Sequence, residues 1–263
     1  MSRQIVVMGS GETSPTMVTP HQRIMAGLPA GRRIVLDTPF GFQENVEILT
    51  GRLQEYFAAS VGAAVEPVQL RRANQSASAT AAAIAAVREA VWVFAGPGSP
   101  SYALSVWRET GLAAHMDRVL ERGVLVLASA AALTAGTHTL PVYEIYKVGA
   151  DPTWLRGLDV LGAHTGLSAA VIPHFDNAEG GNHDTRYCYM GERRLRELEH
   201  ALPDDVFILG VDEHTGVSFD LDTRTASVFG RGTMTVRRGE AQWQVASGSS
   251  ATFDEIAEHG GVT

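Results

Sequence analysis

Ser129 ends the apolar run Val124-Leu125-Val126-Leu127-Ala128 and is followed at once by Ala130-Ala131-Ala132. A hydroxyl is a weak nucleophile. To attack a carbonyl it needs a base within hydrogen-bond reach, a carboxylate to orient that base, and N–H donors where negative charge develops on oxygen.

Candidates for each role are present. Among nine histidines, His174 follows the strand-like Val171-Ile172-Pro173 and leads into the loop-like Phe175-Asp176-Asn177. Pattern alone leaves two readings open, a general base or a locally satisfied histidine at a strand end. His138, His164, His183 and His214 are weaker rivals, and His21, His115, His200 and His259 fall on predicted helix surfaces. Glu144 is the only carboxylate between Ser129 and Asp151, and its neighbours Val142, Tyr143, Ile145 and Tyr146 predict partial burial. A buried carboxylate needs a partner. That partner is a catalytic base in one reading and Lys147, in an ordinary ion pair, in the other.

Gly96-Pro97-Gly98-Ser99 can bring backbone close to a ligand, or can be a plain strand-to-helix turn. Pro97 has no N–H, so the loop donor to an oxyanion would be Gly96, Gly98 or Ser99, with Ala130 as second donor. Asn182-His183-Asp184-Thr185 offers a helix N-cap, which would set Arg186 in the first turn of a helix running toward His200. A cation there opposes the helix dipole by about 0.3–1 kcal/mol. That cost points to a second job, such as holding a substrate carboxylate, unless Asp184 simply pairs with it. Gly9-Ser10-Gly11 begins like a dinucleotide loop but lacks a third glycine, and Glu12 would repel a pyrophosphate.

These residues must be positioned by the elements around them. Ile5-Met8, Ile34-Leu36, Val91-Ala95 and Val124-Ala128 are short continuous apolar runs, each followed by turn residues and a helix-length segment. That pattern predicts strands buried on both faces of a mostly parallel, doubly wound, flavodoxin-like α/β sheet, whose following loops converge at one edge. Helices are predicted over 45–59 and 77–90. From 206 to 250 short alternating runs predict antiparallel strands added at the sheet edge, within a single domain spanning 1–263.

The formal charge of −8 and the absence of a Lys/Arg cluster argue against nucleic-acid binding. No apolar stretch reaches membrane-spanning length, and no signal-peptide pattern precedes Ile5. The single cysteine, Cys188, excludes an internal disulfide and a multi-cysteine metal site, so a reducing, cytoplasmic setting is expected, with neither metal nor cofactor.

In order and spacing, Gly9-Ser10-Gly11-Glu12, Phe94-Ala95-Gly96-Pro97-Gly98-Ser99, Ala128-Ser129-Ala130-Ala131, Ile172-Pro173-His174-Phe175, Asp184-Thr185-Arg186 and Gly210-Val211-Asp212-Glu213-His214-Thr215 resemble one family. It is the serine peptidase family that includes cyanophycinase and the aspartyl dipeptidase called dipeptidase E, within the class I glutamine amidotransferase-like fold. The resemblance implies Ser129 as nucleophile, His174 as base and Glu144 as acid. It places the oxyanion region at Gly98 and Ala130, and substrate-side positions at Gly11, Glu12, Ser99, Asp176, Asn177 and Arg186. The implied reaction is metal-free hydrolysis of a small peptide or isopeptide amide, often beside an acidic residue, through an acyl-enzyme. Family elbows usually read Gly-x-Ser-Ala-Gly, whereas Leu127 and Ala131 flank this serine, and Pro97 replaces a glycine. Two alternatives follow: a catalytically silent relative that binds a small acidic ligand, and a glutamine amidotransferase-like subunit relying on Cys188. An open sheet also leaves an edge through which a homodimer could form.

Overall fold

The computed structural model describes residues 3–261. The four expected strands form, with one more beside them: β1 (Gln4–Met8), β2 (Arg32–Leu36), β3 (Glu66–Val68), β4 (Ala90–Ala95) and β5 (Val124–Ala128). All five pair in parallel, in the order β1-β5-β4-β2-β3. Side chains alternate between the faces of this sheet. Val6, Met8, Val35, Phe94 and Val126 pack on one side, while Ile5, Val7, Ile34, Val93, Leu125 and Leu127 pack on the other. Both faces are dry, which is why the runs are continuously apolar.

Helices α1 (Val18–Ala26), α2 (Val46–Glu55), α3 (Ala77–Glu89) and α4 (Pro100–Glu109) cover the sheet. The helix expected over 45–59 stops its regular winding at Glu55. A wider turn, Tyr56–Val61, continues it to Gly62, whose left-handed φ of 82° ends it. The Ser76 side chain caps α3 by accepting from Ala79 N–H at 3.2 Å. After Ser129 the chain makes only a single tight turn, Ala132–Thr134, instead of a full helix.

The remaining strands correct the expectation of one sheet with an antiparallel extension. β6 (His138–Thr139), β7 (Leu155–Arg156), β8 (Ala169–Ile172) and β9 (Phe207–Val211) are joined by β12 (Thr233–Arg238) and β13 (Ala241–Ala246) in a separate sheet of order β13-β12-β9-β8-β6-β7. Only β10 (Thr215–Asp220), β11 (Thr225–Gly230) and β14 (Ser250–Thr252) extend the first sheet beyond β1, each antiparallel to the strand before it. β9 runs parallel to β8. Every residue of β9 is buried, unlike the alternating β11 and β13, so its continuous apolar composition is the local mark of a central parallel strand. Helices α5 (Val160–Thr165), α6 (Gly191–His200) and α7 (Phe253–Gly260) complete the chain. None of the described helices is long and apolar enough to cross a membrane.

Candidate active site

Three carboxyl strand ends meet. Ser129 follows β5, His174 follows β8, and Glu213 lies in the link that leaves β9 and enters the other sheet at β10. β8 and β9 are parallel neighbours with Ile172 opposite Gly210, so the segments leaving their ends stay side by side. Ser129 Oγ lies 3.0 Å from His174 Nε2. His174 Nδ1 lies 2.8 Å from Glu213 Oε1, which also accepts from Asn177 Nδ2 at 3.0 Å. The Glu213 N–H donates to Asp176 Oδ1 at 2.7 Å, and the preceding Asp212 carboxylate accepts from the backbone and hydroxyl of Thr233. Glu213 is therefore oriented from its side chain and from its backbone.

Ser129 and His174 both have φ of 50°, the left-handed region. For residues with a Cβ this costs on the order of 1–3 kcal/mol each and persists only where the surroundings enforce it. At Ser129 the enforcement is visible: its N–H donates to Met8 O at 2.9 Å, and Ala131 N–H bonds Gly96 O and Ala128 O. At His174 the carbonyl accepts from Asn177 N–H and Cys188 N–H. Leu127 fits without disturbing the elbow. Its side chain lies in the core cluster that also holds Ala95, Ala103, Ala131, Ala132 and Ala135, small residues that leave it volume.

Among the described residues, the N–H groups of Gly98 and Ala130 have no acceptor, while their neighbours Ser99, Ser129 and Ala131 are bonded to backbone carbonyls. Gly98 has φ of 139°, and a Cβ there would sit 2.0 Å from Pro39 O, so only glycine fits the turn. Pro97 deprives the loop of one donor and leaves the next one free.

Several expected residues stand elsewhere. Glu144, expected as the acid, opens the turn Glu144–Val148 and accepts from Ser101 Oγ; the carboxylate on His174 is Glu213. The missed signal is that Glu213 follows a predicted strand just as His174 does. Asp176 and Asn177 hold Glu213 in place, and Ser99 Oγ caps α4 by accepting from Tyr102 N–H at 3.2 Å. Arg186 precedes α6, which begins only at Gly191, so no helix dipole opposes it. Its guanidinium forms a bidentate pair with Asp184 through Nε–Oδ1 at 2.9 Å and Nη2–Oδ2 at 2.8 Å, and stays half exposed. Gly11 has φ of 64° and lies against the His214 ring, which a Cβ would strike. Glu12 is buried beside it. His21, expected on a helix surface, is fully buried under this loop with Nε2 on Glu12 O at 2.9 Å, and burial pushes its ring down to about 4.

Electrostatics match the geometry. Burial raises the Glu213 carboxyl, but hydrogen bonds from His174 and Asn177 and the nearby imidazoles outweigh it, and the net effect is a carboxyl below its ordinary range. Cys188 is buried, and desolvation pushes its thiol up to about 12, so it carries no thiolate near neutrality.

No family model matches the chain. Peptidase E of Escherichia coli is 31% identical over 132 residues, covering 49% of this chain and 52% of that protein. Peptidase E of Citrobacter koseri is 30% identical over the same shares. The chain thus spans about half the length of the curated relatives it matches. The crystal structure of a peptidase from an acI-B1 Actinobacterium superposes with a TM-score of 0.71 at 18% identity, covering 96% of this chain and 97% of that one. The chain is peptidase E-like over half its sequence and shares the α/β fold of a peptidase over nearly all of it.

Proposed function

We propose that this protein is a serine hydrolase of the peptidase type, with Ser129 as nucleophile, His174 as base and Glu213 as the acid that orients it. The observation that carries the reading is the unbroken hydrogen-bonded chain from Ser129 Oγ through both ring nitrogens of His174 to Glu213, at 3.0 and 2.8 Å. His174 Nε2 takes the hydroxyl proton as Oγ attacks the amide carbonyl. The N–H groups of Gly98 and Ala130 receive the developing oxyanion. Collapse breaks the C–N bond, and the amine departs with the proton from His174. Water, deprotonated by the same ring, then frees the acid and restores Ser129.

The substrate class is a small peptide or isopeptide amide, supported by the similarity to peptidase E over half the chain. Arg186, paired with Asp184 but half exposed, stays a substrate-side position in this reading. A thiol-dependent glutaminase is disfavoured by the burial of Cys188.

Incubation of purified protein with a library of short peptides tests the reading. Amine release by the wild type and none by Ser129→Ala is expected; a folded wild type that cleaves no amide or ester, or a Ser129→Ala variant as active as its parent, would overturn it.

A further inference from the structure

The turn that offers the Gly98 N–H does not stand alone. Its backbone rests on the tight turn Thr38–Phe40 that follows β2: Ser99 N–H donates to Pro39 O at 2.8 Å, and a Cβ on Gly98 would lie 2.7 Å from Phe40 N. The direction of the Gly98 N–H is therefore set by where Pro39 stands.

Pro39 is placed in turn by Asp37 and Arg71. Asp37 closes the tight turn, its carbonyl accepting from Phe40 N–H at 3.2 Å, and its side chain is fully buried. Oδ2 accepts from Arg71 Nε at 2.6 Å, while Arg71 Nη1 reaches outward to Glu47 Oε1 at 2.5 Å. Arg71 belongs to the segment leaving β3, the outermost strand of the sheet on that side. Its carbonyl accepts from Tyr102 Oη at 2.5 Å, and Tyr102 lies in the first turn of α4, the helix into which Gly98 and Ser99 lead. A closed circuit results. It runs from Pro39 through Ser99 to Tyr102, across to Arg71, through the ion pair to Asp37 and back to Pro39. Thr38 Oγ1, donating to Leu70 O at 2.7 Å, joins the segments after β2 and β3 a second time.

A buried ion pair is a poor source of stability. Burial raises the Asp37 carboxyl even beside the guanidinium, and Asp37 Oδ1 and Arg71 Nη2 are buried with no hydrogen-bond partner among the described residues. Desolvation of the two charges offsets much of their attraction, and an apolar pair of similar size is often as stable or more so. What the pair supplies that an apolar contact would not is a fixed distance and direction between two loops.

We propose that Asp37 and Arg71 are positioning residues of the oxyanion site: their ion pair fixes the Pro39 turn, and through it the Gly98 N–H, without touching substrate. The inference rests on the hydrolase reading and adds to it two residues, 34 positions apart, that set the rate from behind the donor.

The test measures the second-order rate of fluorophosphonate labelling at Ser129 against pH in the wild type, Asp37→Asn and the double variant Asp37→Asn/Arg71→Met, with a urea midpoint for each. Phosphonylation also develops charge on oxygen, so its rate reads the Gly98 and Ala130 donors as well as His174. Asp37→Asn leaves a half-buried cation without its inner partner and should lower the urea midpoint. The double variant removes that cation and should regain most of the loss. The plateau labelling rate is expected to fall about 10- to 100-fold in both variants and not to recover in the double. The pH midpoint should stay that of the wild type, because Ser129, His174 and Glu213 are untouched. Wild-type rates in the variants, a rate that recovers along with the urea midpoint, or a displaced pH midpoint would overturn the proposal while leaving the hydrolase reading in place. A folded wild type that resists labelling removes both. If either variant fails to fold, the plateau rate and pH midpoint of the other decide.

Discussion

Glu213 Oε1 sits 2.8 Å from His174 Nδ1 although 39 residues separate them. The parallel register of β8 and β9 closes that gap; Asn177 then donates to the carboxylate and Asp176 accepts from the Glu213 backbone N–H. Removing the charge at Glu213 should leave the imidazole free to take the wrong tautomer. Glu213→Gln is expected to lower kcat by about 10²- to 10⁴-fold with little change in KM. Glu144→Gln, which touches Ser101 and not His174, should stay within about 10-fold of the parent. Steady-state kinetics of the two variants on one substrate decide which acid belongs to the site, and the reverse order would return the role to Glu144.

In the proposed mechanism Ser129 and His174 act on the same proton, so their removal should not be additive. Ser129→Ala, His174→Ala and the double variant should each lose about 10⁴- to 10⁶-fold in kcat, with the double no worse than the poorer single. Losses that multiply in the double variant would mean that the two side chains work separately.

Cys188 offers a negative control. Its thiol is buried and raised by desolvation, so Cys188→Ala should keep wild-type kcat/KM, and iodoacetamide should modify the native protein far more slowly than the unfolded chain. Rapid native alkylation accompanied by loss of activity would contradict this placement.

His21 should make the fold acid-sensitive. Its ring titrates near 4 in the folded protein, against an ordinary 6.5, because burial disfavours the cation. The unfolded chain therefore binds the extra proton first. The neutral ring's contribution is complete above about 6.5 and is lost as pH falls toward 4, amounting to about 3 kcal/mol by the bottom of that window. Urea midpoints at pH 7.5 and 5 should fall for the wild type and fall less for His21→Gln, which keeps a donor for Glu12 O but does not titrate across this range. Equal slopes for the two proteins would locate the acid sensitivity elsewhere.

Much of this was readable from residues. β1, β2, β4 and β5 announce themselves because strands buried on both faces must be continuously apolar, and Ser129 and His174 follow from the strand ends that carry them. The sheet to which β9 belongs was not readable, because alternation and burial are local while the pairing partner is set by the whole chain. The same gap hides the carboxylate on His174: Glu144 is near Ser129 in sequence, whereas Glu213 reaches His174 only once β8 and β9 lie side by side. Arg186 stands outside the expected helix for a smaller reason. The chain passes through three consecutive left-handed residues, Tyr187, Cys188 and Tyr189, before α6 begins, and no cap motif foretells such a turn.

The central claim is that Ser129 is an activated nucleophile. Intact-protein mass spectrometry after exposure to a fluorophosphonate tests it most directly. A single adduct mapping to Ser129, formed rapidly in the wild type, slowly in Glu213→Gln and not at all in Ser129→Ala or His174→Ala, is the predicted result. A folded protein that stays unmodified, or one modified at another residue, would contradict it.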